Sequence, residues 1–282
     1  MNLQNTIIAL DLDGTLLRAD KSVSEFTVET LRNIGKKGAE IFFVTGRRKR
    51  VADDVLKPFI FPARLIANNG TTCFNRMSNE RIYTHYFPKE KVEFIVDTLG
   101  KINRTPVFII DVDGIAEDMV MAGAHLEEKV YRDYYKRSSD YILIEEDIKE
   151  SKFIDKVTGM FLIKKNEELR NVISFLESKT NGSLEFCSLD NLNFLPTHTI
   201  LEVLDPGMTK WNAICRLKKI IGKSDAKVIA FGDDHNDIDM LTSADESYAM
   251  ENAICGAKKA AKSIAPMNED DGVAKVLAEK FL

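Results

Sequence analysis

The sequence predicts an α/β fold: a doubly wound parallel sheet with a second, α+β domain inserted into it. Two observations predict it. Short apolar runs, each followed by small or polar residues, recur near both ends of the chain, and the middle of the chain lacks this pattern. Parallel strands have this continuous apolar character because helices cover both faces of their sheet. A length of 282 residues allows one large domain or two.

The predicted parallel strands are Thr6–Leu10, Glu40–Val44, Arg64–Ala67 and Lys227–Phe231. Between the first two, a helix is predicted over Ser24–Lys37, where Val28, Leu31 and Ile34 fall on one side. A strand, a helix and a second strand in this order form a βαβ unit. Amphipathic helices are also predicted just before the last strand and at the end of the chain.

The middle of the chain mixes helical and strand-like patterns and is predicted to be a separate domain. Its boundaries place the parallel-sheet domain in residues 1–82 and 197–282 and the inserted domain in residues 83–196. Two apolar stripes with helical spacing lie within residues 92–99 and 169–176. The candidate strands are residues 106–110, 141–144, 158–163, 184–188 and 193–195. An open sheet with helices on one face accounts for this pattern.

Composition narrows the class of partner. The chain has 39 Lys and Arg against 44 Asp and Glu, a net charge of -5, so it lacks the basic excess of a general nucleic-acid binder. The sequence contains no run of 18 apolar residues, so no membrane span is predicted. The first apolar run is too short for a signal peptide. We therefore expect a cytoplasmic protein, a monomer or weak homo-oligomer, with a small-molecule partner and neither a nucleic acid nor a membrane.

Two carboxylates follow the first predicted strand, in the segment DLDGTL of residues 11–16. Asp11 and Asp13 are two residues apart, so in an extended segment both face the same side. Ligands of doubly wound sheets bind beyond the carboxyl ends of the strands, which is where these acids fall. A lone D-x-D would more often be a polar turn.

Three further segments give that pair a context. The segment GDDHND, residues 232–237, closes another predicted strand, and its carboxylates would repel one another without a cation. Thr45, Gly46 and Arg47 follow the second strand and offer a hydroxyl, a backbone N–H and a cation, which suit a phosphoryl oxygen. Lys210 precedes an amphipathic helix, and by itself it would be a surface charge.

In this order, DLDGTL, TGR, Lys210 and GDDHND resemble the motif set of the haloacid dehalogenase superfamily, across the whole chain. The long insert between Thr45 and Lys210 resembles the C2B cap of Cof-type, or class IIB, phosphatases. Residues 69–70, 252–253 and 268–274 resemble further signatures of the same group. The resemblance implies a Rossmann-like core, with cap hinges near residues 80–85 and 193–200. Trp211 and Glu251 stand where the family often has glycine.

The resemblance implies a Mg²⁺-dependent phosphatase that hydrolyses a small phosphorylated metabolite, such as a sugar phosphate, through an aspartyl-phosphate. It makes Asp11 the nucleophile and Asp13 the general acid and base. The substrate phosphate would contact Thr45, Gly46, Arg47, Asn69 and Lys210, with Thr45 and Lys210 also counted as catalytic. The metal ligands would be Asp11, Asp13 through its carbonyl, and Asp233, supported by Asn236 and Asp237. Oxygen ligands of this kind suit Mg²⁺.

Two alternatives remain open. Phosphomannomutases share this class of cap and the aspartyl nucleophile, so a phosphomutase would return the phosphoryl group to a sugar. A non-catalytic sensor could bind a phosphorylated ligand, although a binder has no use for a nucleophile and a proton donor together. A dinucleotide-binding oxidoreductase or a P-loop NTPase is contradicted because both glycine signatures are absent.

Overall fold

The computed structural model describes residues 3–189 and 197–282. The chain divides into two compact units. One runs up to Tyr83 and resumes over Thr209–Leu282, and the other comprises Thr84–Met208. We call them the discontinuous unit and the inserted unit. The predicted strand at 193–195 lies outside the described residues. Among the described helices, none combines the length and the apolar character that crossing a membrane requires.

The strands are numbered along the chain. They are β1 (Thr6–Leu10), β2 (Glu40–Val44), β3 (Arg64–Ala67), β4 (Thr72–Asn75), β5 (Arg81–Thr84), β6 (Val107–Ile110), β7 (Met119–Ala122), β8 (Ile142–Glu145), β9 (Val157–Lys165), β10 (Glu185–Leu189), β11 (His198–Leu204), β12 (Lys227–Gly232), β13 (Glu246–Met250) and β14 (Ser263–Ala265).

The α-helices are numbered in the same way. They are α1 (Glu25–Lys36), α2 (Lys49–Val55), α3 (Lys89–Gly100), α4 (Lys129–Ser138), α5 (Asn166–Thr180), α6 (Lys210–Ile220), α7 (Ile238–Ser243), α8 (Cys255–Ala260) and α9 (Gly272–Phe281). Short 3-10 turns join several of these elements.

An eight-stranded sheet runs in the order β14-β13-β12-β1-β2-β3-β4-β5. The strands from β14 to β3 are parallel, and β4 is antiparallel to β3. Leu31 of α1 and Leu277 of α9 pack in the core on one face, whereas Leu217 of α6 and Met240 of α7 pack in the core on the other. Helices on both faces confirm the predicted doubly wound parallel sheet.

The inserted unit contains a six-stranded sheet in the order β10-β11-β9-β6-β7-β8. Its pairs are antiparallel except for β7 with β8. Helices α3 and α5 pack on one face, through side chains such as Ile95 and Leu176. Helix α4 packs on the other face through Tyr131 and Tyr134, so the prediction of helices on one face is wrong.

The sequence around α4 concealed this packing because charged residues dominate it. Arg132, Asp133 and Lys136 are exposed, as expected for a solvated face. Tyr131 and Tyr134 are three residues apart, which brings both rings onto the side of the helix that faces the sheet. Both rings are buried there.

The order of the parallel strands locates a crevice at their carboxyl ends. β1 lies between β2 on one side and β12 on the other. The chain therefore turns in opposite directions after β1 and after β12, and ligands of such sheets bind at this reversal. Asp11, Thr45 and Asp233 are the residues that follow β1, β2 and β12.

Candidate active site

A buried ion pair joins the end of β1 to the start of α6. Asp11 is 5% exposed and Lys210 is 1% exposed. The Lys210 Nζ lies 2.6 Å from Asp11 Oδ1 and 2.6 Å from Asp237 Oδ1. Within the described residues, no hydrogen bond reaches Asp11 Oδ2, so this oxygen is available to a ligand. Thr209 starts α6 because its hydroxyl accepts a bond from the Asn212 amide at 3.3 Å.

Asp237 organises the loop that follows β12. It is fully buried, and its Oδ2 accepts hydrogen bonds from the amides of Asp233 and Asp234 at 2.9 and 3.1 Å. Its other oxygen binds Lys210. Asp233 Oδ1 in turn accepts a bond from the Thr15 hydroxyl at 2.7 Å. The loop and the turn after β1 are thereby connected through Asp233.

Asp11, Asp233 and Asp237 form a cluster in which one oxygen of each lies within 4.8 Å of the others. Burial raises the pKa of Asp11 well above its ordinary value, against the opposing effect of Lys210, and the two other carboxylates raise it further. Burial and Asp237 raise the pKa of Asp233 to about 7, although the bond from Thr15 opposes them.

The cluster carries more negative charge than its one lysine balances. Burial lowers the pKa of Lys210, but Asp11 and Asp237 outweigh that effect and the net change is upward, so the ammonium stays charged. Three carboxylates against one ammonium leave two negative charges in excess when all are ionised. Mg²⁺ prefers oxygen ligands and commonly uses one or two carboxylates. The residues present therefore fit a divalent cation.

The Asp13 side chain is not a member of this cluster. It accepts two hydrogen bonds of 2.5 Å from Arg47 Nε and Nη2, and a third from Lys21 Nζ at 2.8 Å. Burial raises the pKa of Asp13, but the bonds from Arg47 outweigh it and lower the pKa to about 2. Arg47, which the sequence assigned to the substrate phosphate, therefore holds Asp13 in its ionised form.

The other predicted phosphate-binding residues meet beside this bridge. Thr45 is buried, its hydroxyl accepts a bond from the Arg47 amide at 3.1 Å, and its carbonyl accepts one from the Asn69 amide at 3.1 Å. Asn236 Nδ2 donates to Asn69 Oδ1 at 2.9 Å. A Cβ on Gly46 would lie 3.0 Å from that same oxygen, so Gly46 and Asn69 are in close contact.

Gly14 occupies a position where any side chain would displace Asp233. Its φ is +77°, and a Cβ there would lie 2.2 Å from Asp233 Oδ2. Asn252, which is distant in the sequence, donates from its Nδ2 to the Gly14 carbonyl at 2.7 Å and fixes this turn. Glycine here thus keeps the turn compatible with the position of Asp233.

Two residues of the site were given no role by the sequence. Thr15 belongs to the DLDGTL segment, and its hydroxyl could have been recognised as a partner for an acid of GDDHND. Lys21 carries no such signal, since it lies in a turn outside every motif and approaches Asp13 only through the fold. All the site residues that were predicted from the sequence lie in the discontinuous unit, and their roles remain predictions.

The family of haloacid dehalogenase-like hydrolases matches residues 8–277. Since that match spans nearly the whole sequence, this chain belongs to the family. The family and the class of enzyme predicted from the sequence are thereby confirmed.

Similar curated proteins are phosphatases by name. The 5-amino-6-(5-phospho-D-ribitylamino)uracil phosphatase YitU of Bacillus subtilis is 27% identical over 283 residues, which cover 100% of this chain and 99% of that protein. The HMP-PP phosphatase of Yersinia pseudotuberculosis is 28% identical over 251 residues, which cover 88% of this chain and 84% of that protein.

Solved structures share the fold along the whole chain. A haloacid dehalogenase-like hydrolase from Bacteroides thetaiotaomicron has a TM-score of 0.74 and 26% identity, and covers 98% of this chain and 99% of its own. A protein from Thermotoga maritima has a TM-score of 0.76 and 24% identity, with coverage of 99% and 97%. The second likeness concerns the fold alone.

Proposed function

We propose that this chain is a Mg²⁺-dependent phosphatase that hydrolyses a small phosphorylated metabolite through a covalent phosphate on Asp11. One observation carries the proposal. Asp11 presents a carboxylate whose Oδ1 is bound by Lys210 and whose Oδ2 meets no described donor, at the carboxyl end of the central strand. A nucleophile needs this combination of a fixed position and an accessible oxygen.

In the first step, an oxygen of Asp11 attacks the phosphorus and the bond from phosphorus to the leaving oxygen breaks. Lys210 and the Thr45 hydroxyl stabilise the charge on the transferring phosphoryl group, because phosphoryl transfer depends mainly on positioning and charge neutralisation. Asp13 donates a proton to the leaving oxygen, which departs as an alcohol.

In the second step, water attacks the phosphorus of the Asp11 phosphate. Asp13, now ionised, accepts a proton from that water, and the bond between phosphorus and the Asp11 oxygen breaks. Inorganic phosphate leaves and the Asp11 carboxylate is restored. Dividing hydrolysis into two displacements replaces one difficult step by two easier ones.

The carboxylates of Asp11 and Asp233 and the carbonyl of Asp13 would hold Mg²⁺. When bound, the ion supplies positive charge that offsets the carboxylate cluster and the phosphoryl oxygens. Asp237 keeps Lys210 and the loop of Asp233 in place through the three bonds that it accepts.

The bridge between Arg47 and Asp13 divides the cycle into two states. While Arg47 binds Asp13, the Asp13 carboxyl is ionised and holds a proton poorly, because Arg47 lowers its pKa to about 2. To act as an acid, Asp13 must first lose this bridge. We infer that a substrate phosphate draws Arg47 away from Asp13, so that arrival of the substrate and protonation of Asp13 are coupled.

We propose the division of roles that the resemblance implies, with catalysis in the discontinuous unit and a cap in the inserted unit, which extends to Met208, beyond the predicted boundary at residue 196. It is supported by the location of the predicted site residues, all of which fall in the discontinuous unit. The similar phosphatase of Bacillus subtilis is named for a substrate with a phosphorylated ribitylamino group, which supports a small phosphorylated metabolite here.

The test is release of inorganic phosphate from a panel of sugar, nucleotide and cofactor phosphates, with and without Mg²⁺. Asp11→Asn is expected to lower kcat about 10³-fold or more, as loss of a nucleophile does. Asp20→Asn is the matched control, because Asp20 is an exposed acid in a turn nearby. Equal turnover by wild type and Asp11→Asn would refute the covalent route, and a rearranged sugar phosphate in place of free phosphate would indicate a phosphomutase.

A further inference from the structure

The inserted unit contains a cavity of about 150 Å³ at one end of its sheet. Lys164, near the end of β9, lines this cavity. Val157, the first residue of β9, accepts a bond from the Phe87 amide, close to where the chain enters the unit. The seven steps from Val157 to Lys164 span about 23 Å of extended strand. The cavity therefore lies at the end of β9 remote from that entry point.

Lys164 is a buried cation with an incomplete set of partners. The residue is 6% exposed, and the acid of the described chain that pairs with it is Glu128, at 3.3 Å from Nζ to Oε2. A bond between an ammonium and a carboxylate usually measures about 2.7–2.9 Å. Glu128 is itself 52% exposed, so solvent weakens the pairing further. An ammonium has three protons to donate, and a buried one is costly to leave unsatisfied.

A second cation and a hydroxyl line the same cavity. The Arg104 guanidinium donates to Glu168 at 3.0 Å through Nη2 and to the Asn103 carbonyl at 3.2 Å through Nη1, which leaves other protons of its fork available. The Tyr131 hydroxyl accepts a bond from the Ile163 amide at 3.0 Å, so its own proton can be donated. Each cation has one carboxylate partner, Glu128 for Lys164 and Glu168 for Arg104, and each keeps N–H protons that this partner does not accept.

The hydrogen-bond partners of His125 show that this cavity is not a metal site. Its Nδ1 lies 3.1 Å from the Ala122 carbonyl and its Nε2 lies 2.8 Å from the Thr105 carbonyl. Both ring nitrogens are therefore occupied, and neither can coordinate a metal ion. The donors that remain on Lys164, Arg104 and Tyr131 instead suit an anion.

We propose that this cavity is a binding site for a small oxyanion, a phosphate or carboxylate group, with Lys164 as its central donor and Arg104 and Tyr131 beside it. The oxyanion supplies the acceptors that the buried ammonium lacks. A cavity of this volume holds one such group, because a water molecule occupies about 30 Å³ of liquid. The site belongs to the inserted unit and does not depend on the reaction proposed for Asp11.

Histidine resonances provide the test, since the chain has 4 histidines and His125 borders the cavity. The full-length protein, with its histidines labelled, is titrated with inorganic phosphate and separately with malonate. We expect the His125 ring signals to move and to saturate, and the comparison of the two anions distinguishes a phosphate site from a carboxylate site. His85, paired with Asp205 beyond the last residue of β11, serves as the reference for the fold of the unit.

Lys164→Met is expected to weaken the anion at least about tenfold, a loss of about 1.4 kcal/mol. Lys156→Met, which removes an exposed lysine from the same unit, should bind as wild type does. If Lys164→Met does not fold, as judged by the His85 signal, Arg104→Gln takes its place in the titration. Arg104→Gln is expected to give a smaller anion-induced shift of the His125 signals than the wild type does. A His125 signal that stays in place with both anions, or that moves equally in Lys164→Met or in Arg104→Gln, would overturn the proposal.

Discussion

The ammonium of Lys210 lies between two buried carboxylates, 2.6 Å from Asp11 and 2.6 Å from Asp237. The three side chains come from the end of β1, the start of α6 and the loop after β12. Removing one partner from a buried ion pair leaves the other charge unpaired, at a cost of about 3–5 kcal/mol. The site is therefore also a determinant of stability.

We expect Lys210→Met to lower the free energy of unfolding by about 3–5 kcal/mol in metal-free buffer and to abolish turnover. Urea denaturation followed by circular dichroism measures the first effect. Lys219→Met on the same helix is the control, because Lys219 is exposed. If the two variants were equally stable, the pairing of Lys210 with Asp11 and Asp237 would not hold the site together.

Gly14→Ala should raise the Mg²⁺ concentration needed for half-maximal phosphate release about tenfold or more, because the added methyl group displaces Asp233. Gly222→Ala separates this clash from backbone strain. Gly222 also has a positive φ, +71°, but a Cβ there meets nothing within 4 Å. The backbone strain alone should cost each variant about 1 kcal/mol of stability. An unchanged Mg²⁺ requirement in Gly14→Ala would remove Asp233 from the metal site.

The inserted unit should fold by itself when residues 84–208 are expressed alone. Its two apolar clusters, around Leu176 on one face and Tyr131 on the other, are composed of residues of this unit. A domain with its own core is expected to unfold cooperatively. Thermal unfolding followed by circular dichroism gives a sigmoidal transition in that case, and a gradual, featureless loss of signal would contradict it.

The pKa of His125 should lie below the ordinary histidine value of about 6.5, because burial disfavours the charged ring. Its two backbone carbonyl partners and Glu128 oppose that effect, and Lys164 adds to it. The unfolded chain therefore binds a proton on His125 at a higher pH than the folded chain does. The free energy of unfolding rises with pH between the folded and the unfolded pKa of His125.

Histidine resonances followed against pH, in a buffer without phosphate or carboxylate anions, measure that pKa directly. His125→Gln should lose part of the pH dependence of stability below about pH 6.5. His235→Gln, which alters an exposed histidine, should keep it. A titration midpoint of His125 above the ordinary value would show that the carbonyls and Glu128 dominate.

The central strands could be predicted from the sequence because each is an uninterrupted apolar run. β1, β2 and β3 have the predicted bounds. β13 was missed, since Glu246–Met250 contains polar residues and becomes a strand by pairing between β12 and β14. Propensity in a strand depends on such neighbours, which the local sequence does not reveal.

The sequence predicted which site residues lie at the ends of strands, but it did not predict which side chains contact one another there. That Asp11 and Asp233 would lie together follows from the edge that parallel strands share. That Arg47 would bind Asp13, and that Lys21 would join them, depends on side-chain conformations and on a turn outside every motif. Contacts of this kind are set by the folded chain.

The proposed mechanism requires that Asp11 becomes phosphorylated during turnover. The wild-type enzyme, mixed with Mg²⁺ and its best substrate and quenched in acid, should yield a peptide containing Asp11 whose mass is increased by one phosphoryl group. Asp20→Asn should yield the same peptide mass, and Asp11→Asn should yield no modified peptide. Rapid turnover with no phosphopeptide, or with the phosphate on another residue, would rule out a covalent phosphate on Asp11.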